Sequence, residues 1–437
     1  MTIVTRALRF LEALIRPSER PTCPHCGSTL WKRHGSYRRG QRCLDRLHRA
    51  VPIQRYRCLN PACHKTWSEH PPWLSPRRWY GRDVIRKSLD VCLDCTTSWR
   101  ELADVLRAEM AGTGRARCWA PWRRPKKDAQ TARLAHTTVW RWFHDAATRA
   151  QAPERQEDRY AGLFSGILAT DEAWGWVKGI VDGVGHKVEF GIQALVDGST
   201  RVVLRLTRLI GESEEALRAG IERLPAVGVP LEAVTTWLSD GSRTYPAVLA
   251  MLNLDRLPRQ RSIFHLWRNL LGDIAAYGAA LGPEAADGLR AAIHAVWDAP
   301  TERLAVGALF TLVGSYAHDP LARPIVGLVR ATFSEATYHL KGAAPGLART
   351  TGIVECLWRR FKRRMRLIQV FMGDDSPDRF VALFELYVNF HRYQIRRERK
   401  RYYPYPGQCP LEIAGQALEI AVGDDQFVAS WLDALEI

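Results

Sequence analysis

The chain has 437 residues, with 63 Lys and Arg against 46 Asp and Glu, a net charge of +17. That length holds about three compact units, and the basic excess selects a polyanionic partner, either nucleic acid or an anionic membrane surface. No apolar run reaches the ~18–20 residues of a membrane span. With 25% charged and 46% hydrophobic residues the chain is globular rather than disordered. The N-terminal MTIVTRALRFLEALIRP is Arg-punctuated and lacks a small-residue cleavage site, so it reads as a short amphipathic helix and not as a secretion signal. Charge is segregated along the chain. Residues 1–150 carry 30 Lys/Arg and 12 Asp/Glu, and residues 355–403 carry 13 against 6. The last 27 residues hold six acids and no Lys or Arg. Phosphate-binding surfaces separated by a weakly acidic middle would produce such a distribution.

In chain order, the first chemical signal is a pair of cysteine knuckles. Cys23-Pro24-His25-Cys26 and Cys58-Leu59-Asn60-Pro61-Ala62-Cys63 supply four soft ligands for a tetrahedral structural zinc. Gly27 follows the first knuckle, Arg55-Tyr56-Arg57 leads into the second, and Trp67 lies where it can cover the metal. Cys43, His25, His48 and His64 are spare donors. The pattern is that of a zinc ribbon.

Residues 81–148 are helical in pattern, broken by the basic loop 111–128. Cys92 and Cys95 fall on one of these helices and read as helix-core thiols. Ser98 and Glu101 form a capping-box start for one helix, and a second begins at His136 with Thr138 and Arg141 near its N-terminal end. The pair reads as a split helix-turn-helix, or else as a plain helical hairpin.

Residues 163–270 alternate strand and helix signals. One apolar run ends at Thr170-Asp171-Glu172, and Ala233–Ser239 ends at Asp240-Gly241. Two further strands meet at a turn over Asp197–Thr200, and Ile263-Phe264-His265 reads as another. Acids at the ends of neighbouring strands gather at one edge of a sheet. With a third acid from a later helix they can hold two Mg²⁺ (or Mn²⁺) ions, which suits in-line attack on a phosphodiester. Glu355 offers that third acid. It opens the run Arg359-Arg360-Phe361-Lys362-Arg363-Arg364, which suits a DNA backbone. Glu172, Asp197 and Glu335 compete for the role, with Glu335 ranked below Glu355 because no basic helix follows it.

Together these residues resemble a bacterial insertion-sequence transposase of the DDE superfamily. The resemblance rests on the ribbon, the split helix-turn-helix, Thr170-Asp171-Glu172, Leu238-Ser239-Asp240-Gly241 and Thr350-Thr351-Gly352-Ile353-Val354-Glu355. The separation of Asp240 from Glu355 and the run Ile263–Asn269 are similar to the Mutator-like branch, and Tyr387–Arg392 with Gly407–Glu412 resembles the family's closing motif. The chain departs from the family at Gly352, usually Asn, and at Ser262, often Cys.

The resemblance implies an α/β fold. A ribonuclease-H-like mixed sheet flanked by helices, with an all-helical insertion, would follow a zinc ribbon and a helical DNA-binding domain. The expected divisions are an N-terminal helix and ribbon over 1–80 and a helix-turn-helix-like domain over 81–150. The catalytic core would begin over 160–270, break for a helical insertion over 271–349, and end in a basic helix over 350–402. An acidic tail would occupy 403–437. Asp171, Asp240 and Glu355 would hold Mg²⁺, His265 would approach the scissile phosphate, and Cys23, Cys26, Cys58 and Cys63 would hold zinc. Thr138, Arg141, Arg359, Arg360, Lys362 and Arg363 would contact DNA. The partners would be double-stranded DNA, as element ends and target, and a second copy of the chain. The location would be the bacterial cytoplasm, at the nucleoid. The alternative function is a transposase-derived DNA-binding regulator that does not cleave.

Overall fold

The computed structural model describes residues 22–45, 47–69, 79–95, 97–110, 134–151, 157–181, 184–211, 213–342, 346–368, 371–372, 375–392 and 407–417. The expected N-terminal helix, the basic loop 111–128 and most of the acidic tail lie outside these residues. The chain divides into two compact units, residues 1–88 with 100–136 and residues 89–99 with 137–437. Among the described residues no helix is long and apolar enough to cross a membrane.

The smaller unit is built on an antiparallel three-stranded sheet, β1 (Trp31–Arg42), β2 (Leu47–Cys58) and β3 (Thr66–Glu69), in that order. Tyr56 on β2 packs edge-on against Trp31 and stacks on Trp67, with centroids 4.8 and 5.6 Å away. Trp67 therefore serves this small core, where aromatic rings pack beside the buried Ile53. Helix α1 (Arg82–Asp94) starts here and α2 spans Trp99–Met110. The buried face of α2 is Leu102, Ala103, Leu106 and Met110, the i, i+3/i+4 stripe expected of an amphipathic helix.

The larger unit carries a six-stranded mixed sheet. It comprises β4 (Ile167–Val181), β5 (Val184–Asp197), β6 (Val203–Leu209), β7 (Thr236–Ser239), β8 (Arg259–Arg261) and β9 (Phe371–Met372). The order is β6-β5-β4-β7-β8, with β9 pairing β4 from outside that path. Strands β4, β5 and β6 run antiparallel, whereas β7 pairs parallel to β4 and β8 parallel to β7. Helices α3 (His136–Gln151), α4 (Glu214–Ile221), α5 (Thr244–Met251), α10 (Gly352–Ile368), α11 (Asp375–Phe390) and α12 (Pro410–Ala417) accompany it. One core joins Leu168, Leu195 and Trp237 of the sheet to Leu217 of α4 and Val248 of α5. Helices α6 (Ile263–Leu281), α7 (Pro283–Trp297), α8 (Glu302–Tyr316) and α9 (Arg323–Ala336) follow β8 and share a separate core around Leu270, Ile293, Trp297 and Val329.

One expected strand is corrected. Ile263-Phe264-His265 is the first turn of α6, and the strand is β8, which ends at Arg261. Ser262 sits at the helix boundary in extended conformation, and its N–H bonds Ser239 O at 2.8 Å. The strand-like apolar triplet is thus helical, since Ile263 and Leu266 bury on one helix face.

Helix α11 covers the β6 edge with side chains that stand in for a further strand. Asn389 accepts from Val203 N and donates to Val203 O, both at 2.8 Å, and also donates to Tyr160 Oη at 2.8 Å. Glu385, buried beside Arg159, accepts from Leu206 N at 2.9 Å. An edge occupied in this way offers fewer free backbone groups to another chain.

Candidate metal centres

The four cysteines of the smaller unit converge. Cys23 and Cys63 sulfurs lie 3.8 Å apart and Cys26 and Cys58 sulfurs 3.6 Å apart, all four within 4.8 Å of one another. A tetrahedral ion with metal–sulfur bonds of about 2.3 Å spaces its sulfurs about 3.8 Å apart, so the cluster can bind a metal ion and is compatible with structural zinc. Each knuckle turns through a left-handed residue just after its second cysteine, Gly27 at φ +69° and His64 at φ +50°. Gly27 N–H returns to Cys23 O at 2.8 Å, and His64 N–H to Asn60 O at 3.2 Å. Burial raises the Cys58 thiol to about 12. At Cys23 burial is outweighed by the N–H groups of His25 and Cys26, which bring the thiol down to about 7. Cys43 packs elsewhere, against the α-carbon of Gly81.

The second centre belongs to the larger unit. Asp171 lies on β4, Asp240 just beyond β7, His265 in the first turn of α6 and Glu355 in the first turn of α10. The parallel register pairs Ile167 with Thr236 and Ala169 with Leu238. Continued by the same offset, it sets Asp240 level with Asp171 (240 − 171 = 236 − 167). Asp171 is buried, which raises its carboxyl to about 6. His265 and the Glu172 N–H pull it down, whereas the Asp240 and Glu355 charges push it further up. Asp171 therefore lies within electrostatic reach of the other three side chains. His265 Nε2 lies 3.1 Å from Glu355 Oε1, near enough for an ion pair but misaligned for a hydrogen bond. Both atoms are buried and lack a hydrogen-bond partner. Buried acceptors in that state are costly unless a ligand completes them. Among the described residues the cysteine group is the one set of three or more His, Cys, Asp or Glu side chains whose donor atoms gather closely enough to hold a metal ion.

Local structure explains the convergence. Asp171, Ala173, Gly175 and Val177 form the buried face of β4, and Trp174, Trp176 and Lys178 its exposed face. A Cβ on Gly175 would come within 3.1 Å of Met365 Cε, so α10 lies close along this face. From Met365 back to Glu355 the helix rises about 15 Å, and from Gly175 back to Asp171 the strand spans about 13 Å. The two acids are therefore brought to one end of the contact. Ser262 links the elements at that end, because Thr351 N and Oγ1 lie 3.2 and 3.1 Å from Ser262 Oγ. The Ser at this position thus joins the start of the His265 helix to the segment that opens the Glu355 helix. Gly352 donates to Thr350 Oγ1 at 3.3 Å.

The competing acids have other work. Glu172 accepts a hydrogen bond from Tyr245 Oη, which also bonds Thr170 Oγ1 at 3.0 Å. Asp197 accepts from Ser165, Ser199 and Thr200 in the β5–β6 turn. Glu335 pairs with Arg259 at 2.9 Å. Of the residues expected to contact DNA, Arg141, Arg359, Lys362 and Arg363 are exposed, and Thr138 and Arg360 half-buried. Arg364, part of the same basic run, is instead buried, with its guanidinium 4.7 Å from the Trp99 ring and donating to Thr97 O at 2.9 Å. Period-3.6 counting finds this inward position only when the helix face is known.

Residues 23–107 match a family described as a domain of unknown function, DUF6431. The match spans the cysteine cluster and the first two helices and stops short of all three acids. Among curated proteins none matches the chain.

Two predictions follow from these centres. Purified protein carries about one zinc per chain by metal analysis, and Cys58→Ser loses it. Full retention of zinc by Cys58→Ser would contradict a four-sulfur site. For metal-free protein, the Asp171 carboxyl rises on folding from an ordinary value of 3.8 to about 6. Folded protein therefore binds that proton more tightly, and stability present at low pH is lost as pH rises through this window. Asp171→Asn has no such loss. Its melting temperature should gain on wild type by about 3 °C or more between pH 4 and 7, whereas a constant difference would show that Asp171 is not held in this way.

Proposed function

We propose that the protein is a DDE-type DNA transposase that cleaves a phosphodiester at its element's ends and joins the freed 3′-OH to target DNA. The observation that carries this reading is the convergence of Asp171, Asp240 and Glu355, with His265 beside Glu355. The sheet order and strand directions support a ribonuclease-H-like core, and helices α6–α9, between β8 and α10, support an inserted helical segment.

The donor set fits Mg²⁺ or Mn²⁺. Three carboxylates are hard oxygen ligands, and Glu355 Oε1, near His265, makes no hydrogen bond. Divalent ions held by Asp171, Asp240 and Glu355 would neutralise charge on the phosphate and make water or a 3′-OH a better nucleophile. The chain's own groups do the rest. Burial of Asp171 and His265 limits water around the reacting phosphate. His265 donates towards the phosphate or towards Glu355 and so orients either. Exposed Arg359, Lys362 and Arg363 on α10 lead away from Glu355 and can hold the DNA backbone, with Arg360 half-buried between them. Thr138 and Arg141 on α3 add contacts to duplex DNA. The metal at Cys23, Cys26, Cys58 and Cys63 is zinc in this reading, with a structural role. Two element ends are joined by at least two copies of the chain, in the cytoplasm at the nucleoid.

The test is cleavage of a labelled duplex carrying the element's own end with Mg²⁺ or Mn²⁺. Asp240→Asn should lower nicking by more than about a hundredfold while DNA binding persists. Tight binding with no cleavage by wild type in either metal would replace this reading with that of a DNA-binding regulator.

A further inference from the structure

Arg261 stands next to the acid cluster and takes no part in the account so far. It is the last residue of β8, paired in register with Ser239, and so sits one position short of Asp240. Gly241, which follows Asp240, has φ +87°. A Cβ there would fall 2.1 Å from Arg261 Nε, 2.6 Å from Cζ and 2.7 Å from Cδ. Glycine is therefore required twice over, by its left-handed backbone and by the guanidinium lying against it. The side chain is fixed across the turn that presents Asp240.

One of its donors lacks a partner. Arg261 Nε is buried and makes no hydrogen bond. Among the described residues no carboxylate pairs with this guanidinium, although Arg259, two residues earlier on the same strand, has Glu335 at 2.9 Å. The nearby acids are turned to other groups. Asp240 accepts from Ser242 N at 2.8 Å, and Glu355 faces His265. Arginine stays protonated, so a half-buried guanidinium without a counter-ion carries an uncompensated desolvation cost. A planar fork of donors in that state matches two non-bridging oxygens of a phosphate.

We propose that Arg261 is a phosphate-binding residue of this centre, gripping the non-bridging oxygens of a phosphodiester that lies against Asp171, Asp240 and Glu355. The inference rests on the transposase reading only in naming that phosphodiester as DNA. Gly241 then serves to let the guanidinium lie flat beside Asp240, so that acid and cation act on one phosphate from neighbouring strand ends.

The experiment is a ³¹P NMR titration of the full chain with a thymidine dinucleotide, which carries a single phosphodiester, in the presence of Mn²⁺. Bound Mn²⁺ should broaden the phosphorus signal in wild type. Arg261→Gln should weaken dinucleotide affinity about tenfold, with Mn²⁺ affinity unchanged. Arg261→Lys, which keeps the charge and loses the fork, should weaken it by a smaller factor. A residue that only braced the Gly241 turn would instead change Mn²⁺ affinity through Asp240. Equal dinucleotide affinity in wild type and both variants, or none in wild type, overturns the proposal. Arg261-dependent binding by a protein that never cleaves DNA would leave it standing and remove the transposase reading, and cleavage with Arg261-independent binding would do the reverse.

Discussion

The larger unit depends on how closely α10 approaches β4. A strand face of ordinary Val and Ile would hold a helix about 10 Å away, but Ala173 and Gly175 leave room for Met365 at van der Waals distance. That approach carries Glu355 from a distant part of the chain to Asp171. The middle of α10 is fixed by an aromatic cluster, in which Phe380 meets Phe361, Phe371 and Phe384 at 5.5–5.8 Å. Buried Arg364 adds a cation over Trp99. The basic run therefore has two tasks. Arg364 anchors the helix while Arg359, Lys362 and Arg363 stay in solvent.

The acid end of the contact is the opposite of a well-satisfied core. Asp171 is buried among like charges, and Glu355 and His265 leave buried polar atoms unbonded. Such an arrangement costs stability in the free protein, and the Ser262–Thr351 link and the Asn389 clasp on β6 offset part of that cost. The cysteine cluster differs, since its four sulfurs already stand at the spacing of a single ion.

Much of this was legible in the sequence because the signals are local. Paired cysteines at knuckle spacing, acids closing short apolar runs, and a Glu opening a basic helix can each be read within about ten residues. The strand at 263–265 was misread for a physical reason. A triplet of two apolar residues and a histidine carries no period, and only the extended Ser262 with its bond to Ser239 O separates strand from helix. Arg261, the inward turn of Arg364 and the small residues Ala173 and Gly175 were invisible for another reason. Each matters through a partner far away in sequence, and nothing in its own neighbourhood marks it. The discarding of Glu172, Asp197 and Glu335 likewise needed their partners Tyr245, Ser165 and Arg259.

The central claim is that three acids from separate elements make one divalent-metal site. Crystals soaked in Mn²⁺ and measured at an anomalous wavelength test it most directly. Anomalous density between Asp171, Asp240 and Glu355, lost in Glu355→Gln, is the expected result. Density confined to other surfaces, with these carboxylates unliganded at saturating Mn²⁺, would contradict it.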